Sequence, residues 1–423
     1  MRDYLKGIFK KMGPGFITGA ADDDPSGIAT YSQTGAAFGY GHLWMTFFTL
    51  PFMYIIQQMC GRIGLVTGKG LVGVIRSEYP KPVLYFVVAL LVIANTINIS
   101  ADLRAMADVA QMLLGAHIIF WQCAIAIFIV ALEIFVTYET YARILKYLGL
   151  TLFSYVLTAL VINPDWALIA RSIASPGIEL SRGYLLNIVA ILGTTISPYL
   201  FFWQASQEVE EEVSERKIRD IGIGKPKVRR KDIMEMRLDT IIGMVFSQAV
   251  MFFIIVTTSA TLHENGVTDI RTASQAAEAL RPLAGDFAYL LFAAGIIGTG
   301  LLAVPILAGA SAYAVAEMIG IREGLSKKPG KAPGFYGIIA TSTLLGLIIS
   351  WIGIDPYKGL YYAAVLNGLA APPLMAMIVL ISNNKDVMGK YVNGTFSNIL
   401  GWIIIMIMTI AGSLLIYNLT IGV

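Results

Sequence analysis

The chain has 423 residues, 56% of them hydrophobic and 14% charged, with a formal net charge of +3 and a mean hydropathy of +0.69. This composition excludes a soluble globular protein with a single buried core and describes a polytopic membrane protein. The small net charge gives no reason to expect a nucleic-acid partner, because the basic residues fall in loops that membrane topology already explains.

Stretches apolar enough to cross a bilayer run roughly Pro14 to Ala37, His42 to Val66, Pro82 to Leu114, His117 to Tyr138, Tyr147 to Ile162 and Tyr184 to Glu208. Further ones run roughly Leu238 to Leu262, Phe287 to Met318, Phe335 to Ile352, Gly359 to Ile381 and Ile399 to Leu419, about eleven spans in all. Arg2, Lys6, Lys10 and Lys11 precede the first span. A secretory leader needs an uninterrupted apolar core, and this one is interrupted by Asp22, Asp23 and Asp24, so it reads as a retained span.

Loop charge alternates. Lys69 and Arg76 follow the second span, Arg143 and Lys146 the fourth, the run from Arg216 through Lys225 to Lys231 the sixth, Lys327 and Lys328 the eighth, and Lys385 and Lys390 the tenth. The alternate loops are poor in charge or mixed, as in Glu264, Asp269, Arg271, Glu278 and Arg281. A cytoplasmic amino terminus and an extracytoplasmic carboxyl terminus follow, in the plasma or inner membrane of a cell.

The first span carries Asp22-Asp23-Asp24-Pro25-Ser26-Gly27. A carboxylate at membrane depth costs about 2.5–3.5 kcal/mol on the lenient insertion scale, so three together need water, a cation or other polar groups. Pro25 cannot continue a regular helix, and the break frees backbone carbonyls as further oxygen donors. The sixth span breaks in the same manner at Gly193-Thr194-Thr195-Ile196-Ser197-Pro198-Tyr199. Five spans separate the two breaks, and an odd number of spans inverts the second copy of a repeat. Paired interrupted helices at matching positions point to a central site between two inverted halves, residues 14–162 and 184–381, with one further helix at 399–419. All belong to a single transmembrane domain.

Asp24 is the leading cation ligand, with carbonyls of Asp24 to Gly27 and of Thr194 to Ser197 and the Thr194 and Ser197 hydroxyls completing a hard-oxygen shell. Such donors suit magnesium, calcium or manganese rather than zinc or copper. Asp22 and Asp23 point to other faces, either as vestibule charges or as solvent-facing residues. Asn95, Asn98 and Asp102 make one polar stripe on the third span, which fits an ion path or helix-to-helix hydrogen bonding. Glu133, among apolar neighbours in the fourth span, is a further gating candidate. No histidine lies deep in a span, and Cys60 and Cys123 sit in apolar stretches as small hydrophobes. Nothing in the chain resembles a catalytic nucleophile–base pair or a phosphate loop; the expectation is a protein that is not an enzyme and holds no resident cofactor.

Gly13-Pro14-Gly15-Phe16, the Asp24-Pro25 break, Pro198 and the eleven-span layout together resemble the Nramp family of divalent-metal transporters. The resemblance covers essentially the whole chain and implies an all-α LeuT-type fold with alternating access. Typical members carry manganese or iron with protons. This sequence departs from the family's pattern where Asp-Pro-Gly-Asn reads Asp24-Pro25-Ser26-Gly27, and where Ala-x-x-Met-Pro-His reads Thr194-Thr195-Ile196-Ser197-Pro198-Tyr199. Gly27 thus stands at the asparagine ligand's position, Ser197 at the methionine's and Tyr199 at the histidine's. Loss of the thioether removes the ligand that favours soft metals over magnesium. Asp102 matches the third-span aspartate, the acidic residue expected three positions later falls on Ala105, and Asn367 falls near a site-lining glutamine of the tenth span.

The combination looks like the divergent branch of Nramp-related magnesium transporters, which implies carriage of Mg2+, and Mn2+ besides, as a partly hydrated ion without proton coupling. The alternatives are a proton-coupled manganese or iron importer, an amino-acid transporter of the same architecture, and a channel or sensor. The expected partners are divalent ions and the bilayer; oligomeric state is not legible.

Overall fold

The computed structural model describes residues 13–136, 138–149, 152–162, 164–175, 177, 181–224, 226–270, 273–352 and 356–421. Of the basic and mixed loop residues above, Arg2, Lys6, Lys10, Lys11, Lys225 and Arg271 lie outside them. The first half of the chain forms α1 (Pro14–Asp22), α2 (Pro25–Phe38), α3 (Trp44–Thr67), α4 (Leu71–Glu78), α5 (Lys81–Leu114), α6 (Ile118–Phe135), α7 (Tyr138–Gly149), α8 (Phe153–Ile162) and α9 (Trp166–Ala174). The second forms α10 (Arg182–Thr195), α11 (Pro198–Ser214), α12 (Arg230–Thr261), α13 (Ala273–Ile319), α14 (Pro333–Ser350), α15 (Pro356–Asn383), the short α16 (Lys385–Met388) and α17 (Thr395–Ile421).

Among the described residues eight helices, or nine when a bent pair in the α8–α9 region is taken together, are long and apolar enough to cross a membrane. The other two expected spans are interrupted by polar residues for reasons visible in the sequence. The first, α1 with α2, holds three aspartates, and α3 buries Gln57, Gln58 and Arg62. Of the fifth expected span, Tyr147 to Gly149 belong to the end of α7 and Phe153 to Ile162 to α8, with residues 150 and 151 outside the described residues. α4 and α9 are short helices inside what read as loops, and α13 begins well before Phe287, with a kink at Gly285, whose φ of 79° lies in the left-handed region. Phe86, Ile127, Leu344 and Ile410 are exposed on these spans, as lipid-facing side chains would be.

Both broken spans use one backbone device. In the first, Asp24 is extended (ψ 171°) and Pro25 opens α2; in the second, Ser197 is extended (ψ 128°) and Pro198 opens α11. A residue before proline is pushed out of the helical region, and proline fits the first helical turn, so each chain stops and restarts at the proline. Each leading half-helix is then held by backbone-to-backbone packing at glycines. A Cβ on Gly15 of α1 would lie 2.6 Å from the Thr240 amide nitrogen of α12, and one on Gly193 of α10 would overlap the Ala364 carbonyl of α15.

The basic loops gather on one face. The Gly222 amide donates to the Gly68 carbonyl at 2.7 Å, Lys327 pairs with Asp220 at 2.7 Å, and the Tyr391 hydroxyl donates to the Val228 carbonyl at 2.7 Å. On the opposite face the loop after α12 meets the end of α2. There the Gln33 amide donates to the Thr268 carbonyl and the His263 ring bonds the Ala36 carbonyl.

Candidate functional site between the two broken helices

Asp24 caps the start of α2: its Oδ1 accepts from the Ser26 hydroxyl at 2.6 Å and the Gly27 amide at 2.7 Å. Its Oδ2 has a single, longer contact, 3.3 Å from the Tyr199 hydroxyl, which donates at 2.6 Å to the Ala21 carbonyl. The cap therefore occupies one carboxylate oxygen and leaves the other available to an ion. Tyr199 ties the start of α11 to the end of α1, drawing the two breaks together. Gly27 and Thr194 meet across the same gap, a Cβ on Gly27 lying 3.1 Å from Thr194 Oγ1, which has no hydrogen-bond partner.

Asp22, Asp23, Asp24 and Asp102 are all essentially without solvent exposure. Asp22 Oδ2 accepts from the Ser247 hydroxyl of α12 at 2.7 Å, while Asp22 Oδ1 and both oxygens of Asp23 accept nothing. Asp102 on α5 lies close enough to Asp24 for their charges to repel, and neither of its oxygens is hydrogen-bonded. Among the described residues no lysine or arginine pairs with any of the four. Carboxylates buried together without a counter-charge call for a cation from outside the chain. The same residues contain no three carboxylate, histidine or cysteine side chains grouped to grip a metal directly.

Two of the carbonyls expected as donors at the first break each accept one hydrogen bond within α2. The Asp24 carbonyl takes the Ile28 amide and the Ser26 carbonyl takes the Thr30 hydroxyl, so the α2 side of the break is engaged. The Asp22 carbonyl, at the negative end of α1, faces Gly27 instead. Ser197 turns its hydroxyl back onto the Gly193 and Thr194 carbonyls at 3.0 and 2.7 Å, capping α10. Asn367 is buried on α15 with its Nδ2 unpartnered, next to Gly368, which packs on α10 beside the second break.

The third-span stripe divides. Asn95 donates to the Leu307 carbonyl and the Ser311 hydroxyl of α13, a helix-to-helix tie, whereas Asp102 reaches the break. Glu133 is buried on α6, which packs on α5, α13 and α14, and both its oxygens are unpartnered; it is not brought to the cluster.

Sequence reasoning missed Ser247, Asp239 and Asn187. Asp239 of α12 accepts from the Gly13 and Gly15 amides at 2.8 and 2.7 Å, capping α1 from 226 and 224 residues away. Asn187 of α10 accepts from the Thr34 hydroxyl at 3.1 Å and the Tyr361 hydroxyl at 3.4 Å, closing α2, α10 and α15 over the site. Beyond that closure a cavity of about 240 Å³ opens, lined in part by Gln33, Asn187 and Tyr361. On the amino-terminal face a larger cavity, about 740 Å³, reaches Gly13 and Asp239. The carboxylates lie shut off from both.

Residues 15–418 match the family described as natural resistance-associated macrophage protein-like, Nramp. The chain is 26% identical, over 97% of its length and 95% of the relative's, to a "Divalent metal cation transporter MntH" of Klebsiella pneumoniae (strain 342). It is 25% identical to a protein of the same name from Pectobacterium carotovorum, over 94% of this chain and 91% of that one. Among solved structures it superposes on an Eremococcus coleocola manganese transporter with a TM-score of 0.78 at 16% identity, covering 97% of this chain and 87% of that one. Mhp1, a nucleobase-cation-symport-1 family transporter, superposes with a TM-score of 0.56 at 11% identity, covering 96% and 93%. The fold is thus the expected LeuT type.

Proposed function

Because the chain belongs to the Nramp family, we propose that it is a multi-pass divalent-metal transporter whose cargo is Mg2+, with Mn2+ also carried, moved by alternating access as an ion that keeps part of its water shell. The two breaks form the centre of two five-span halves, with α17 added. The observation that carries the reading is the donor set drawn together there: carboxylate, carbonyl and hydroxyl oxygens, with serine and tyrosine at positions 197 and 199. Hard oxygen donors favour Mg2+ and Mn2+, and the lack of a three-carboxylate grip among the described residues suits an ion that holds water between itself and the protein.

Asp24 Oδ2, the Asp22 carbonyl and Thr194 Oγ1 are the atoms we assign to the ion or its waters, with Asn367 and Gly27 shaping the space. Asp102 adds field rather than direct ligation, and Asp22 and Asp23 raise the local cation concentration. Uptake without a proton is the reading suggested by Ala105, fully buried on α5, at the position where typical family members carry an acidic residue. The face that gathers the basic loops is the cytoplasmic one in this reading.

Manganese as principal cargo is the second reading, favoured by the names of the relatives. Competition separates the two: Mg2+ in millimolar excess is expected to suppress Mn2+ uptake, and Mn2+ uptake indifferent to Mg2+ would leave manganese as the cargo.

A further inference from the structure

The site is closed on both sides, and the two closures are built from different chemistry. On the outer side the groups are neutral. Asn187 has no solvent exposure; its single oxygen accepts from the Thr34 hydroxyl at 3.1 Å and the Tyr361 hydroxyl at 3.4 Å, while its Nδ2 has no partner. Beside it Gln33 donates to the Thr268 carbonyl and accepts from the Ile270 amide, each at 3.1 Å. The cavity of about 240 Å³ reaches both Gln33 and Asn187 from outside.

On the side of the basic loops, the seam between α11 and α13 is filled and then tied by charge. Trp203, fully buried, lies against Gly309, where a Cβ would come within 2.7 Å of its ring, and meets Tyr313 edge-on with centroids 6.3 Å apart. Two turns further along α11, Glu210 Oε1 accepts from the Tyr313 hydroxyl and the Leu325 amide, each at 2.6 Å, and Oε2 accepts from the Ser326 amide at 3.3 Å. Both oxygens accept, as suits an ionised carboxylate. The Lys327–Asp220 ion pair joins the same two loops at 2.7 Å.

Hydrogen bonds to an ionised group are about twice as strong as neutral ones. The outer closure also bears the cost of a buried amide without an acceptor, and water relieves that cost once the closure opens. We infer that Asn187 is the outer gate and Glu210 the inner latch of this carrier, and that without cargo it opens to the outer face more readily than to the cytoplasm. The inference rests on the alternating-access reading and on the basic-loop face being cytoplasmic, and is independent of which ion is carried.

Thr194 lies at the centre and its hydroxyl makes no hydrogen bond, so Thr194→Cys, in full-length protein carrying Cys60→Ala and Cys123→Ala, gives a thiol reached only from an open face. Its modification by a membrane-impermeant methanethiosulfonate is timed in right-side-out and inside-out membrane vesicles containing a chelator. Labelling from the outer face is expected to be roughly tenfold faster than from the cytoplasmic face. Asn187→Ala should speed the outer rate severalfold and leave the cytoplasmic rate no faster, and Tyr313→Phe should speed the cytoplasmic rate severalfold. Effects confined to opposite faces are not the signature of general loosening. Equal rates in the parent, faster cytoplasmic labelling, or substitutions that speed both faces alike would overturn the inference and leave alternating access standing. A thiol modified from neither face, in protein that is monodisperse on gel filtration, would remove both. Should Thr194→Cys aggregate, hydrogen–deuterium exchange of the wild type decides: amides around Asn187 on α10 are expected to exchange faster than those around Tyr313 on α13, and the reverse order overturns the inference.

Discussion

The two broken spans share a backbone and differ in chemistry. Both stop at an extended residue and restart at a proline, yet the first presents Asp22, Asp23 and Asp24 while the second presents Thr194, Ser197 and Tyr199, all uncharged. Charge comes from one half of the molecule and clamping from the other. Tyr199 reaches across to the Ala21 carbonyl, Ser197 closes its own half-helix, and Thr194 abuts Gly27. A cation can be attracted by the first break alone; it is the second break that sets the space and the softness of the donors around it.

The comparison is broken most severely at Asp24. Asp24→Ala removes the carboxylate that has an oxygen to spare, and divalent uptake is expected to fall to background in protein that remains monodisperse; substantial uptake by folded Asp24→Ala would move the site elsewhere.

That much was legible in the sequence, because both breaks are local events. Proline after an acidic or small polar residue inside an apolar run marks them without any tertiary information, and the alternation of basic loops marks the faces. What stayed hidden depends on packing between distant segments. Nothing near Asp239 signals that it will cap a helix 224 residues earlier, and Ser247 reads as one more small residue on an apolar helix. The engagement of carbonyls at the first break was hidden for a similar reason. Thr30 bonds back to Ser26 and engages a group that the sequence leaves free.

Ser197 sharpens the comparison next. Ser197→Met places a thioether at the second break and is expected to shift preference from Mg2+ toward Mn2+ by roughly tenfold in paired uptake measurements. An unchanged ratio would mean that position 197 does not face the ion.

A smaller effect is expected from Tyr199→Phe, which deletes the hydroxyl joining the two breaks while keeping the ring. Loss of one neutral hydrogen bond is worth about 1 kcal/mol, so apparent Mg2+ affinity should weaken roughly fivefold. Wild-type affinity in Tyr199→Phe would show that the tie to Ala21 is dispensable.

The last concerns stability rather than transport, at the far end of the second broken span. Glu210 of α11 accepts from the Tyr313 hydroxyl and the Leu325 amide, each at 2.6 Å, anchoring the loop that carries Glu323. Burial, with Glu317 beside it, pushes the Glu323 carboxyl up to about 10. The folded protein therefore holds a proton there that the unfolded chain releases at an ordinary carboxylate pKa of about 4.3. Stability from this group is fully present below that value and is lost as pH rises toward 10. Glu323→Gln should flatten the decline in melting temperature between pH 5 and pH 9, values spanning the window set by that raised pKa; parallel curves for the two proteins would place Glu323 in water.

The central claim is that the two breaks together pass a hydrated magnesium ion without a proton. Proteoliposomes containing a magnesium-sensitive dye and a pH dye test it directly, with Asp24→Ala liposomes as the control and Mn2+ uptake run alongside. Saturable, Asp24-dependent Mg2+ entry with an unchanged lumenal pH is the predicted result. Manganese entry accompanied by acidification, with no magnesium flux, would contradict it.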